Sequence, residues 1–398
     1  MKATEIAAID IGTSKVRTLM GAIDGTSGLR ILGAGIAPSQ GMEKGLVADA
    51  AGVEESIRQS VKSAETMAGC KLASAYISLT GRYINSMNRQ STVAITHRNQ
   101  MVHNDDINRA LEIALGTSFP AGRRLLQVIP RTYTLDDNQV QEPVGMHGYT
   151  LKVEVHLITA DVSPIQNLTQ CVRKTGIKID DLIPGSWASA EAVLSEEEKQ
   201  SGILLADIGV GETDIVVMKN GSPYYTSVIP IAGYLITHDI ALGLGLSVDA
   251  AEDIKKKYGC VQFSESKNDG ITVNKNGTTV SNQKLCQIIQ ARIEGLIYRI
   301  MLELEVSELT QTKFAALIPS GMVITGGGAN MPGINELVKE ITGLPARTGK
   351  PAKLSGISDS KLDDPSWATS IGLLLWQIKY NRTLRGWSRS SRIHSFTI

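Results

Sequence analysis

The sequence predicts a two-lobed α/β protein made of two related halves, with a small α+β unit inserted into the first. Three observations predict it. The chain opens as β-β-β-α-β, its opening hairpin recurs about half a chain later, and the texture between roughly 84 and 160 belongs to neither half. A chain of 398 residues also exceeds what one hydrophobic core usually organises.

Strand patterns cover Glu5 to Ile11, Val16 to Ile23 and Leu29 to Ile36. Asp49 then suits an N-cap, and Val53, Ile57, Val61, Ala64 and Ala68 recur at helical spacing until Gly69. Ala73 to Leu79 reads as a further strand. In the inserted unit, alternating stretches at Gln127 to Leu135 and Tyr149 to Thr159 accompany a short helix at Asp105 to Leu115. A helix at Pro164 to Thr175 resumes the first half.

From Ile203 the opening pattern returns: Asp207-Ile-Gly209 ends a strand as Asp10-Ile-Gly12 does, and an apolar strand follows each. Helices are expected at Tyr234 to Leu242, Asp249 to Tyr258 and Gln283 to Leu309. Between them, Ser264 to Thr279 has the composition of an exposed loop or hairpin. Met322 to Thr325 reads as a strand entering Gly326-Gly-Gly-Ala329, and Pro332 is expected to open a helix over Gly333 to Thr342.

Bulk properties narrow the function classes. Forty basic residues balance forty acidic ones, so no global field recruits nucleic acid, and any affinity for a membrane or polyanion is local. The four cysteines are scattered without a Cys-x-x-Cys pair, which fits reduced thiols better than a disulfide framework or zinc site. No stretch reads as a signal peptide or a spanning helix. Gly33-Ala-Gly35 lacks the third glycine of a dinucleotide fingerprint, and neither a Walker loop, a zinc-protease helix nor a Gly-x-Ser-x-Gly elbow is present.

The chemistry concentrates in the repeated hairpins. Gly12 lets backbone N–H groups approach phosphate oxygens, Thr13 and Ser14 add hydroxyl donors, and Lys15 adds a charge. Asp10 would repel phosphate unless a cation stands between, so it suits a holder of hydrated Mg²⁺. Gly209, Gly211, Thr213 and Asp214 supply the matching half, with Asp207 as the second cation-facing carboxylate. Gly326, Gly327, Gly328 and Ala329 let backbone lie against a purine or ribose. Glu252 and Lys255 share a helix face, which fits ribose hydroxyls and a purine edge, or equally an ordinary surface ion pair.

Together the hairpins, the Glu252/Lys255 helix and the glycine loop resemble the phosphate and adenosine motifs of the actin/Hsp70 superfamily. Within it the chain resembles the FtsA family of bacterial division proteins over roughly residues 5–380. That likeness is carried by Gly41-Met-Glu-Lys-Gly-Leu-Val47, Leu79-Thr-Gly81, Gln127-Val-Ile-Pro130, Pro143-Val-Gly-Met146 and Trp187-Ala-Ser-Ala-Glu-Ala-Val-Leu194, besides the inserted unit.

The resemblance implies an actin-like fold of duplicated ribonuclease-H-like domains. The expected organisation is a first core of 1–83 with 161–200 and 361–380, and an inserted FtsA-type subdomain at 84–160. A second core comprises 201–233 with 313–360, beside a subdomain at 234–312 that binds the FtsZ C-terminal peptide, and a basic tail occupies 381–398. It further implies ATP and Mg²⁺ as ligands, head-to-tail self-assembly, other divisome proteins as partners, and attachment of FtsZ filaments to the inner face of the cell membrane. A type IV pilus scaffold of the PilM kind or a kinase of the same fold are the alternatives.

Two departures from the family pattern bear on mechanism. Val210 and Glu212 stand where glycine and threonine are usual. Gly185-Ser186 occupies the region where many actin-like ATPases carry a side chain that positions the attacking water, so ATP binding with slow or negligible hydrolysis is expected. In the tail, Arg382, Arg385, Arg389 and Arg392 with Trp387 and Phe396 have a composition suited to anionic lipid, though without a clean apolar face.

Overall fold

The computed structural model describes residues 4–24, 28–116, 119–262, 270–273, 279–306, 315–352 and 362–388. The chain begins with β1 (Thr4–Ile11), β2 (Lys15–Asp24) and β3 (Gly28–Pro38), then a short hairpin of β4 (Met42–Glu43) and β5 (Leu46–Val47). Helix α1 (Ala50–Ala68) follows and leads to β6 (Ser74–Leu79). Asp49 caps α1 by accepting from the Ala51 and Gly52 N–H groups, and Gly69 closes it in the left-handed conformation, φ 71°. The helix buries Val53, Ile57, Val61 and Ala64.

Gly33 and Gly35, which fit no dinucleotide motif, have a packing role. A Cβ at Gly35 would collide with the Ser60 carbonyl, and one at Gly33 with the Ala64 carbonyl, so both glycines let β3 lie against the backbone of α1.

The inserted unit comprises β7 (Ile84–Ala94), α2 (Asn104–Leu115), β8 (Arg123–Leu135), β9 (Asn138–Val140) and β10 (Thr150–Asp161). Its antiparallel sheet runs β7-β10-β8-β9 and has its own core, with Ile107 and Leu111 of α2 over Leu151, Val153, Val155 and Leu157. Helix α3 (Val162–Lys174) and β11 (Lys178–Pro184) return the chain to the first sheet, ordered β11-β6-β1-β2-β3. Helices α4 (Gly185–Val193) and α5 (Glu196–Ser201) follow.

The second half repeats this topology with β12 (Ile203–Ile208), β13 (Thr213–Lys219), β14 (Ser222–Ile229), α6 (Gly233–Leu244), α7 (Val248–Tyr258), the hairpin strands β15 (Gly270–Thr272) and β16 (Thr279–Ser281), and α8 (Asn282–Val306). After these come β17 (Met322–Thr325), α9 (Ile334–Thr342), β18 (Ala346–Thr348) and α10 (Ala368–Ser388). The second sheet is ordered β14-β13-β12-β17-β18, with antiparallel pairs among the first three strands and parallel pairs beyond. The first sheet read from β3 inward has the same order and the same change from antiparallel to parallel. The duplication read from two Asp-Ile-Gly hairpins therefore extends to the whole sheet.

Some expectations shift. Helix α9 begins at Ile334 with Gly333 as its N-cap, so Pro332 lies outside the helix rather than in its first turn. Its carbonyl instead accepts from the Val261 N–H. The buried helix α4 was not anticipated from periodicity, because almost every residue of it is covered and no amphipathic stripe exists to read. The long helix α8 reaches Val306, and the last residues expected of it lie outside the described residues. Helix α10 continues to Ser388, past the expected boundary at Tyr380. Arg382, Arg385 and Trp387 are thus on helical backbone, whereas Arg389, Arg392 and Phe396 lie outside the described residues. No described helix is long and apolar enough to cross a membrane.

Candidate functional site

The two Asp-Ile-Gly hairpins face each other across a cleft of about 1020 Å³. Each turn follows six consecutive buried strand residues, Ile6 to Ile11 and Ile203 to Ile208, which fix its position. The β1–β2 turn is closed by Gly12 N–H donating to the Lys15 carbonyl, and the β12–β13 turn by Gly209 N–H donating to the Glu212 carbonyl, at 3.1 and 3.0 Å. The turns approach so closely that a Cβ on Gly211 would sit 2.5 Å from Thr13 Oγ1.

Of the residues expected in the site, Asp10, Gly12, Thr13, Ser14, Lys15, Asp207, Gly209, Gly211, Asp214, Glu252, Lys255, Gly326, Gly327 and Gly328 line this cleft. Thr213 and Ala329 are not among the lining residues. The Thr213 hydroxyl donates to the Ile231 carbonyl at 2.7 Å, and Ala329 is buried in a 3₁₀ turn over Gly327–Asn330. Lining residues that the sequence reading missed include Arg17, Ser78, Thr80, Lys256, Asp364, Trp367 and Thr369. Arg17 and Lys256 adjoin the motif residues in sequence, whereas Ser78, Thr80, Asp364, Trp367 and Thr369 reach the cleft through chain return.

The floor of the cleft is acidic and braced by hydroxyls. Asp10 accepts from Ser78 Oγ at 2.8 Å and Ser370 Oγ at 3.3 Å, with the Arg17 guanidinium 3.8 Å away. Asp207 accepts from Ser189 Oγ at 2.5 Å and Thr369 Oγ1 at 3.0 Å. Asp214 accepts from Thr80 Oγ1 at 2.7–2.8 Å, a bond between the halves. Burial raises all three carboxyls; repulsion from Asp10 adds to the rise at Asp207, and repulsion from Glu212, Asp207 and Asp10 to that at Asp214. Such crowding of desolvated like charge is relieved by a cation. The protein oxygens are already engaged by hydroxyls, and no described cluster supplies three metal-ligating side chains, so the arrangement suits an ion that keeps its water.

The walls are basic. Lys15, Lys255, Lys256 and Lys257 line them, and burial, with Arg17 and Lys256 nearby, lowers the Lys15 ammonium. Glu252 and Lys255 form a 2.6 Å ion pair at the cleft, rather than a pair on the outer surface. Burial alone would raise Glu252, but hydrogen bonds from Lys255 and Thr237 outweigh it and hold the carboxyl at about 2. Lys255 Nζ also donates to the Gly233 carbonyl at 3.1 Å, anchoring α7 to the start of α6.

Gly326 adopts φ 77°, and a Cβ there would collide with Asp207 Oδ1. Its N–H donates to the Pro365 carbonyl at 3.2 Å, tying the glycine loop to the segment before α10. Across the cleft, Gly185 opens α4 beside Asp214: a Cβ there would lie 3.8 Å from Asp214 Oδ2. The position expected to lack a water-positioning side chain is therefore at the cleft.

Residues 204–372 match the family model described as Cell division protein FtsA, and residues 81–159 the model described as SHS2 domain inserted in FTSA. Cell division protein FtsA of Pseudomonas aeruginosa is 36% identical, covering 94% of this chain and 89% of its own length. The Escherichia coli K12 protein of that name is 32% identical, covering 94% and 91%. Among solved structures, a PilM-PilN type IV pilus biogenesis complex aligns with TM-score 0.68 at 20% identity, covering 94% of this chain and 99% of the other. MreB5 of Spiroplasma citri bound to AMPPNP aligns with TM-score 0.58 at 13% identity, covering 97% and 99%. At those identities the structural likenesses carry the actin-like fold alone.

Proposed function

The chain belongs to the FtsA family of actin-like cell division proteins, and on that premise we propose that it binds Mg-ATP between its halves, polymerises, and tethers FtsZ filaments to the cytoplasmic face of the cell membrane. One observation carries the nucleotide reading: two hairpins of like sequence and topology close on one cleft that also holds the glycine loop and the Glu252/Lys255 pair. The Gly12 and Gly209 turns and the hydroxyls of Thr13 and Ser14 suit phosphate oxygens, with Lys15 as counter-charge. Asp10 and Asp207 suit Mg²⁺ held through water, the ion screening these carboxylates from the phosphates. The glycine loop and the Glu252/Lys255 pair suit the adenosine.

Hydrolysis is slow in this reading, because Gly185 leaves the wall beside Asp214 without a side chain. The FtsZ peptide is assigned to the subdomain at 234–312 and other divisome proteins to the same assembly. The membrane contact is assigned to the basic segment from Arg382 to Ile398, acting through many weak anchors in a filament. PilM-type scaffolding shares the fold but lacks the family match.

Co-sedimentation with anionic liposomes, with and without Mg-ATP, tests the assignment when the full chain is compared with one ending at Tyr380. The expected result is binding that needs the tail and strengthens with ATP, together with capture of the FtsZ C-terminal peptide. Equal sedimentation of both forms, or failure to capture the peptide, would refute the adaptor role.

A further inference from the structure

Glu212 is a charged side chain of the second hairpin that the nucleotide contacts leave without a task. It lines the cleft, yet the residue is only 5% exposed. Its Oε2 lies 3.4 Å from Thr80 Oγ1, the same hydroxyl that bonds Asp214. Gly45 makes room for the carboxylate: a Cβ there would sit 2.5 Å from Glu212 Oε2. Its other oxygen, Oε1, is buried with no hydrogen-bond partner.

A buried carboxylate oxygen without a donor costs free energy, and a water molecule is the small donor that a polar cleft offers it. The neighbours do not remove that need. Asp214 and the Tyr83 hydroxyl face Glu212 without neutralising it, while Arg82 and Lys44 act on it from the first half without forming an ion pair among the described residues. Burial pushes the Glu212 carboxyl up to about 7, against the pull of the Thr80 hydroxyl and of the Arg82 and Lys44 charges. A carboxylate poised near neutrality suits a proton acceptor. Gly185, Asp214, Thr80 and Glu212 follow one another in contact along one side of the cleft, so the carboxylate lies on the same side as the position where Gly185 brings no side chain.

Resting on the nucleotide reading above, we propose that Glu212 holds the water that attacks the γ-phosphate and accepts its proton, supplying from the second half what Gly185 cannot supply from the first. In that step a water O–H bond breaks and its proton passes to Glu212. The water oxygen forms a bond to the γ-phosphorus. The bond from that phosphorus to the bridging oxygen breaks, its electron pair remaining on the β-phosphate. Glu212 then releases the proton to solvent as phosphate departs. The negative charge of the acceptor also opposes the incoming phosphate, which keeps turnover slow.

The test is single-turnover ATP hydrolysis by the full chain from pH 5.5 to 9, with equilibrium ATP binding measured in parallel. The wild-type rate is expected to rise through about pH 7 and level off. Glu212→Gln is expected to bind ATP at least as tightly, to hydrolyse it about 100-fold more slowly, and to lose the pH dependence. Glu212→Asp recovers part of the rate. Glu212→Thr serves where the glutamine variant fails to fold. A variant with bound ATP and the wild-type rate and profile overturns the proposal, as does a wild-type chain that binds ATP and never cleaves it. A wild-type chain that binds no ATP overturns the nucleotide reading itself, and the proposal with it.

Discussion

The two Asp-Ile-Gly hairpins are alike in sequence and topology and unlike in what they hold. In the first, Thr13, Ser14 and Lys15 face an open cleft, and Asp10 is braced from within its own half by Ser78 and Ser370. In the second, Asp207 and Asp214 are braced across the cleft, by Ser189 and Thr369 and by Thr80. Duplication therefore supplied two copies of one turn, and burial divided their work. The first offers donors and charge to a ligand, while the second joins the halves through desolvated carboxylates.

The sharpest way to break this comparison is to remove one carboxylate from each side. Asp207→Ala is expected to weaken Mg-ATP binding about 100-fold, in line with loss of charged hydrogen bonds worth up to about 3 kcal/mol. It should also raise protease sensitivity between the halves. Asp10→Ala should weaken binding without that loosening. Calorimetric titration and limited proteolysis read both, and equal loosening would show that the division of labour is wrong.

Glu212 offers the next largest effect. Its folded pKa, about 7, exceeds the ordinary 4.5, so protonation favours the fold. That stability is fully present below pH 4.5 and is lost as pH rises through 7, at most about 3 kcal/mol. Urea midpoints of Glu212→Gln should match wild type near pH 4.5 and exceed it at pH 8. A constant difference across pH would count against the buried carboxylate.

Gly326→Ala should cost about 2 kcal/mol, from a left-handed backbone and a collision with Asp207, seen as a lower Tm. Lys15→Met is expected to have the smallest effect, about tenfold in ATP affinity and little in stability, because its charge faces the cleft rather than the other half.

Much of the fold was legible before any coordinates. Asp49 and Gly69 bound α1 because caps are local chemistry, and β17 was read with its true limits because Met322 to Thr325 is an isolated apolar run before glycines. Helix α4 was not legible, since burial on every side erases periodicity. Strand β7 was missed for a different reason: its middle, Asn85 to Thr92, holds one apolar residue, so no apolar alternation marks it.

The sequence by itself determined the two hairpins, their repetition and the acidic, hydroxyl and glycine residues on them, because turn chemistry acts within a few residues. Only the tertiary structure decided how those residues pair. Ser78, Thr80, Ser189, Thr369 and Ser370 lie outside the phosphate hairpins and the glycine loop, yet their hydroxyls donate to the three desolvated aspartates. Glu212 reads in sequence as a departure from the usual threonine of the second hairpin, and the fold makes it a desolvated carboxylate against Thr80 and Gly45. The physical reason is that a carboxylate's proton affinity is set by its solvent and neighbours, and those are brought together by chain segments far apart in sequence.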